Sequence, residues 1–152
     1  MGDTNHSDYC GVGIRGVATG IDSFVWLALL FVAIFAVGAA TGQLETGTQG
    51  VNADLTGDPA AAALGLWCAL AFGYHTVFEW LFGKTIGKRL VRIRVTDTDG
   101  SSLTLGRSLI RNLLRPVDML PVLYLVGVVG MVVSDRQQRV GDRLAGTTVV
   151  RT

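Results

Sequence analysis

Apolar residues are concentrated in two long runs, and elsewhere polar and apolar positions alternate with shorter periods. The runs are Ser23 to Ala40 and Ala60 to Phe82. The first is expected to belong to a helix over 13–40, about 40 Å long at 1.5 Å per residue, which exceeds the ~30 Å hydrocarbon core of a bilayer. The second is expected to be a membrane helix over 60–82, opened by the Asp58-Pro59 start signal. Residues 1–12 are short, polar and Gly-bounded, and are expected to be disordered. Residues 41–59, rich in Gly, Thr and Asp, are expected to form a loop.

After Gly83 the period changes. From Arg89 to Thr96, Val91, Ile93 and Val95 fall on one face and Arg92 and Arg94 on the other, the alternation of a half-buried strand. Asp99-Gly100 then predicts a turn, and Thr147 to Arg151 a second strand that pairs with the first. Two strands alone are marginal in water, so the pair should rest against the membrane helices. Leu105 to Arg115 has helical period, with Thr104 as N-cap. Arg107, Arg111 and Arg115 recur every fourth residue on one face, and Leu105, Leu109, Ile110 and Leu113 occupy the other, so this helix is expected in the membrane interface. Pro116 and Pro121 bound the exit of this helix, and Val122 to Val133 forms a third, short apolar stretch, which can be extended back to Val117. Counted over 117–133 it has 17 residues and includes Asp118, the lower limit for a span.

The fold class expected is therefore an all-α membrane protein: two transmembrane helices, an amphipathic interfacial helix, a short third hydrophobic helix and a small cytoplasmic two-stranded β element. Composition agrees, with 49% hydrophobic and 16% charged residues and a mean hydropathy of +0.44. A cleaved secretory signal is disfavoured. The apolar core of 18 residues exceeds the usual 7–15, and the first twenty residues carry one base and two acids.

The net charge of +1 conceals an asymmetry that bears on topology. Loop 41–59 has no Lys or Arg, segment 83–116 has eight and tail 134–152 has four. The positive-inside rule places the acidic loop outside the cell membrane, and the N-terminus and segment 83–116 in the cytoplasm. A spanning third stretch would carry the basic tail outside and separate the two strands. A re-entrant arm, entering and leaving on the cytoplasmic side, is the arrangement expected instead.

Ionisable residues inside apolar runs are the default candidates for function, because each costs on the order of 2.5–3.5 kcal/mol at a helix centre. Here they are Asp22, His75 and Glu79, with Arg15 near the mouth of the first helix. His75 and Glu79 share a helix face. With Asp22 at a comparable depth, the three are expected in the inner leaflet, positioned to exchange a proton or bind a monovalent cation, with Arg15 as electrostatic partner. The opposing reading makes them structural, with Asp22 paired to Arg15 or another interfacial arginine, Glu79 to Lys84 or Arg111, and His75 a satisfied core residue. The basic residues Arg107, Arg111 and Arg115 are expected to face lipid headgroups rather than nucleic acid.

Other signals fail on context. Gly11-x-Gly13-x-x-Gly16 follows no strand, and Gly83-Lys84-Thr85 lacks the first glycine of a phosphate loop, Phe78 standing there. Gly16 with Gly20, and Gly38 with Gly42, have spacing suited to close helix packing. Cys10 and Cys68 imply neither disulfide nor metal site. No cofactor is implied, and no nucleophile, base and orienting group form an enzymatic set.

The ordered set Arg15, Asp22, Phe78-Glu79-Trp80-Leu81-Phe82-Gly83-Lys84-Thr85-Ile86-Gly87-Lys88-Arg89-Leu90, Arg107-Ser108-Leu109-Ile110-Arg111 and Gly141-Asp142-Arg143-Leu144-Ala145-Gly146-Thr147 resembles the RDD family of membrane proteins. The resemblance covers 13–151. It implies that the family's arginine and two aspartates correspond to Arg15, Asp22 and Asp142. It also implies transport of unidentified ligands, sodium/proton exchange being associated with at least one member. Two function classes follow. One is a small transporter or cation/proton exchanger acting as a homo-oligomer or with other membrane proteins; the other is a noncatalytic membrane scaffold.

Overall fold

The computed structural model describes residues 9–48, 50–115 and 138–152. The third apolar stretch, its prolines and the re-entrant arm expected from it lie outside the described residues, as does most of the expected disordered tail. Element order is α1 (Val12–Thr41), β1 (Leu44–Gly47), β2 (Gly50–Ala53), α2 (Asp58–Phe82), α3 (Ile86–Leu90), β3 (Ile93–Asp97), α4 (Leu105–Leu113), α5 (Val140–Ala145) and β4 (Thr147–Arg151). The chain is thus mostly helical with two small two-stranded sheets. Among the described residues, α1 and α2 are long and apolar enough to cross a membrane.

The chain divides into two compact units. One comprises 23–73; the other joins the start of the chain through Asp22 to Tyr74–Thr152. In the first unit the indole of Trp67 donates to the Trp26 carbonyl at 2.9 Å, tying α2 to α1. The expected loop 41–59 contains an unanticipated antiparallel hairpin, with Leu44 opposite Ala53 and Gly47 opposite Gly50. Gly38 makes room for it: a Cβ there would lie 2.8 Å from Leu44 Cδ2. At Gly16 and Gly20 no atom of the described residues lies within 4 Å of where a Cβ would stand.

The second unit holds a small apolar core of Cys10, Ala18, Ile93, Val95, Leu103 and Val149, with Ile14 and Val91 packed against it. β3 and β4 pair antiparallel, Val95 opposite Val149, and Cys10 N donates to Val149 O at 3.0 Å. The expected strand begins later than Arg89. Residues 86–90 form α3, with the Thr85 hydroxyl accepting from Lys88 N at its start, and Arg92 turns through a positive φ of 55° before β3. Gly83, at φ +66°, ends α2, and its carbonyl accepts from Val95 N at 2.8 Å, fastening the sheet to that helix end. Asp99-Gly100 forms the turn after β3, with Gly100 at φ +84°.

The largest departure is α4. Its apolar residues Leu109, Ile110 and Leu113 are exposed, whereas Ser108 and Asn112 are buried and the Arg111 side chain is only 10% exposed. Thr104 stands at the N-cap position without a side-chain capping bond. The helix is amphipathic as expected, but its polar face points into the protein.

Candidate functional site

Three buried carboxylates organise the second unit, each held by a different element. Asp22, at 1% exposure, sits on α1 and reaches the start of α3. Its Oδ1 accepts from Tyr74 OH and from Gly87 N, both at 2.8 Å, and its Oδ2 from Thr85 Oγ1 at 2.6 Å. Tyr74 OH in turn accepts from Ile86 N at 2.9 Å. Two of the N–H groups left without intrahelical partners at the start of α3 are thereby satisfied from outside the helix. Gly87 permits the approach: a Cβ there would overlap the Ala18 carbonyl and lie 2.9 Å from Asp22 Cγ.

Glu79 on α2 is fully buried. Its Oε1 pairs with the Lys88 ammonium, and its Oε2 with Arg111 Nε at 3.1 Å and Asn112 Nδ2 at 3.2 Å. Asn112 also donates to Ser108 O at 3.0 Å, and Ser108 Oγ donates to Thr76 O at 2.8 Å. The polar face of α4 is thus seated on the last turns of α2.

Asp142 on α5 accepts from Arg15 Nη1 at 2.6 Å and from Arg139 N at 3.2 Å, and pairs with Arg111 Nη1. Arg15 Nε also donates to Cys10 O at 2.8 Å. Arg111 touches both Glu79 and Asp142. It therefore joins two centres into one chain of ion pairs, Arg15–Asp142–Arg111–Glu79–Lys88, supplied by α1, α5, α4, α2 and α3. Burial alone would raise the Asp142 carboxyl, but Arg111 and then Arg15 hold it below its ordinary value. Burial, reinforced by Arg111 and Arg115 and opposed by Glu79, brings the Lys88 ammonium down to about 7.

His75 meets the guanidinium of Arg115. Its Nδ1 lies 3.1 Å from Arg115 Nη1. A guanidinium only donates, which assigns the acceptor role to Nδ1 and the ring proton to Nε2. Arg107 pairs with Asp97 at the sheet.

Several expectations are corrected by these contacts. Arg15 pairs with Asp142, 127 positions away, rather than with Asp22 or Glu79, and the donors around Asp22 are neutral. Glu79 does meet Arg111, one of the two partners expected for it, and takes Lys88 in place of Lys84. The chain turns away at Gly83, which carries Lys84 Nζ to Thr152 Oγ1 at 3.1 Å, and α3 brings Lys88 back. Arg111 turns to the buried acids Glu79 and Asp142, and Arg115 to His75. Tyr74, Thr85, Gly87, Lys88 and Asn112 were given no site role by the sequence reading. The readable signal among them was Thr85 as N-cap of a helix at Ile86. Among the described residues no cluster of three His, Cys, Asp or Glu side chains could hold a metal ion.

Two helices long and apolar enough to cross a membrane and an ionic cluster buried where one of them ends characterise this mostly helical fold. The sequence matches the RDD family over residues 9–146, and the chain belongs to that family of membrane proteins. No curated protein and no solved structure matches it.

Proposed function

We propose that this protein is a noncatalytic membrane module in which the buried charges fasten the polar elements to the ends of the membrane helices. One observation carries the reading: every carboxylate in the cluster meets several donors. Asp22 has three and Glu79 three, and Asp142 joins two guanidiniums and a backbone N–H. Breaking such a buried pair costs about 3–5 kcal/mol, because the remaining partner is left charged and unpaired. The cluster thus serves as a clamp. In this reading α1 and α2 span the cell membrane, the N-terminus and segment 83–116 lie in the cytoplasm, and the partners are lipid, further copies of the chain or other membrane proteins. No enzymatic step is assigned.

Cation/proton exchange is the second reading, and Lys88 favours it. A buried ammonium brought to about 7 beside Glu79 is a group that gains and loses a proton near neutrality. Two helices do not enclose an aqueous path, so exchange requires an oligomer or a partner. Cation-driven proton movement in proteoliposomes separates the two. The module reading predicts no flux from well-inserted protein across several cations and pH values. Flux in the parent that is abolished in folded Glu79→Gln and Asp22→Asn supports exchange and overturns the clamp as the whole function.

A further inference from the structure

Beside the ion cluster, where α2 gives way to α3, lies a cavity of about 370 Å³ lined by Phe78, Phe82, Lys84, Thr85, Ile86 and Arg89. Its two halves differ in chemistry. Phe78 and Phe82, their ring centroids 5.7 Å apart, form an apolar wall, and Phe82 and Ile86 remain 58% and 42% exposed. Lys84 and Arg89 supply cations. Among the described residues neither meets a carboxylate, in contrast to the neighbouring Lys88. The Thr85 hydroxyl is already given to Asp22. The apolar wall continues the exposed surface of α2, where Trp80 and Leu81 are also uncovered.

We infer that this groove binds an anionic glycerophospholipid, its phosphate between Lys84 and Arg89 and its acyl chains along Phe78, Phe82 and Ile86. Charge and shape select the occupant. Two bases at the end of an apolar helix, neither paired with a carboxylate among the described residues, attract a headgroup phosphate, and the guanidinium fork matches its oxygens. A free anion would leave the aromatic wall wet, whereas a lipid covers it. The inference rests on α2 lying in a bilayer, as in the module reading, but not on whether the ion cluster clamps or exchanges.

Native mass spectrometry of the purified full chain, with phosphatidylglycerol and phosphatidylcholine added in equal amounts, tests it. The parent is expected to retain phosphatidylglycerol by roughly thirtyfold over phosphatidylcholine, a preference lost in Lys84→Gln/Arg89→Gln and kept in Lys84→Arg/Arg89→Lys. Equal retention of both lipids by the parent overturns the proposal. So does a preference that survives removal of both charges, or competition by glycerol phosphate as effective as by the lipid. Should the Gln pair fail to fold, lipid selectivity in the parent and the charge-preserving pair decides. Resistance of the protein to alkaline extraction from membranes reports the span separately, so a failed groove and a failed membrane placement give different results.

Discussion

Asp142 and Arg15 illustrate how unequal the two ends of one ion pair are. Arg15→Met leaves Asp142 with Arg111 and the Arg139 N–H, whereas Asp142→Asn leaves two buried guanidiniums facing a neutral group. Thermal unfolding in mild detergent should therefore show the larger loss for Asp142→Asn, about 3–5 kcal/mol. Asp142 and Lys88, both with lowered proton affinity in the folded chain, leave traces of the same sign in different pH windows. Asp142, held below its ordinary 3.8 when folded, contributes stability that is complete above that value and lost as pH falls through the folded one. Lys88 is lowered from 10.5 to about 7, so between those values the unfolded chain binds more protons and stability rises with pH. The unfolding midpoint plotted against pH should climb through that window in the parent, and the climb should flatten in Lys88→Met. Gly87 sets a steric limit: Gly87→Ala forces a methyl onto the Ala18 carbonyl and is expected to cost about 1–3 kcal/mol, read from the same melts.

At the scale of elements, α4 reverses the expectation for a helix on an aqueous surface. Ser108→Leu places a large apolar group where a hydroxyl donates to Thr76 O and should destabilise strongly. The adjacent, exposed Leu109→Ser should shift the detergent melt by no more than about 0.5 kcal/mol. Equal effects would contradict the inward polar face. The arginine spacing showed that this helix is two-faced, but periodicity alone does not state which face finds the protein. That depended on acids far away in sequence, Glu79 and Asp142, and on their need for partners once buried. The two long apolar helices and the β3–β4 pairing were readable because long apolar runs and strict alternation are local signals. The β1–β2 hairpin was missed because its mostly exposed residues bury no face and so show no alternation of polarity. Asp22, Glu79 and Arg15 stood out as charges in or beside apolar helices. Lys88 did not, because it lies in a basic segment where a lysine looks solvated.

Across the whole molecule, topology and charge are linked by the same cluster. Of the eight bases in 83–116, Lys88 is buried and the Arg111 side chain nearly so, both committed to acids. The positive-inside signal then rests mainly on the remaining ones. Cysteines introduced singly at Glu45 and at Arg151 should be labelled by a membrane-impermeant maleimide from opposite sides of an intact cell, Glu45 from outside. Labelling of both from outside would separate the tail from the cytoplasm and remove the topology proposed here. The central claim is that the buried charges hold this fold together, and Glu79→Gln addresses it most directly, because that carboxylate joins α2 to both α3 and α4. Its unfolding midpoint in lipid nanodiscs, measured beside the parent, should fall by the equivalent of about 3–5 kcal/mol. A variant that melts with the parent, yet has lost cation-driven proton flux, would contradict the clamp and make Glu79 a working site of exchange.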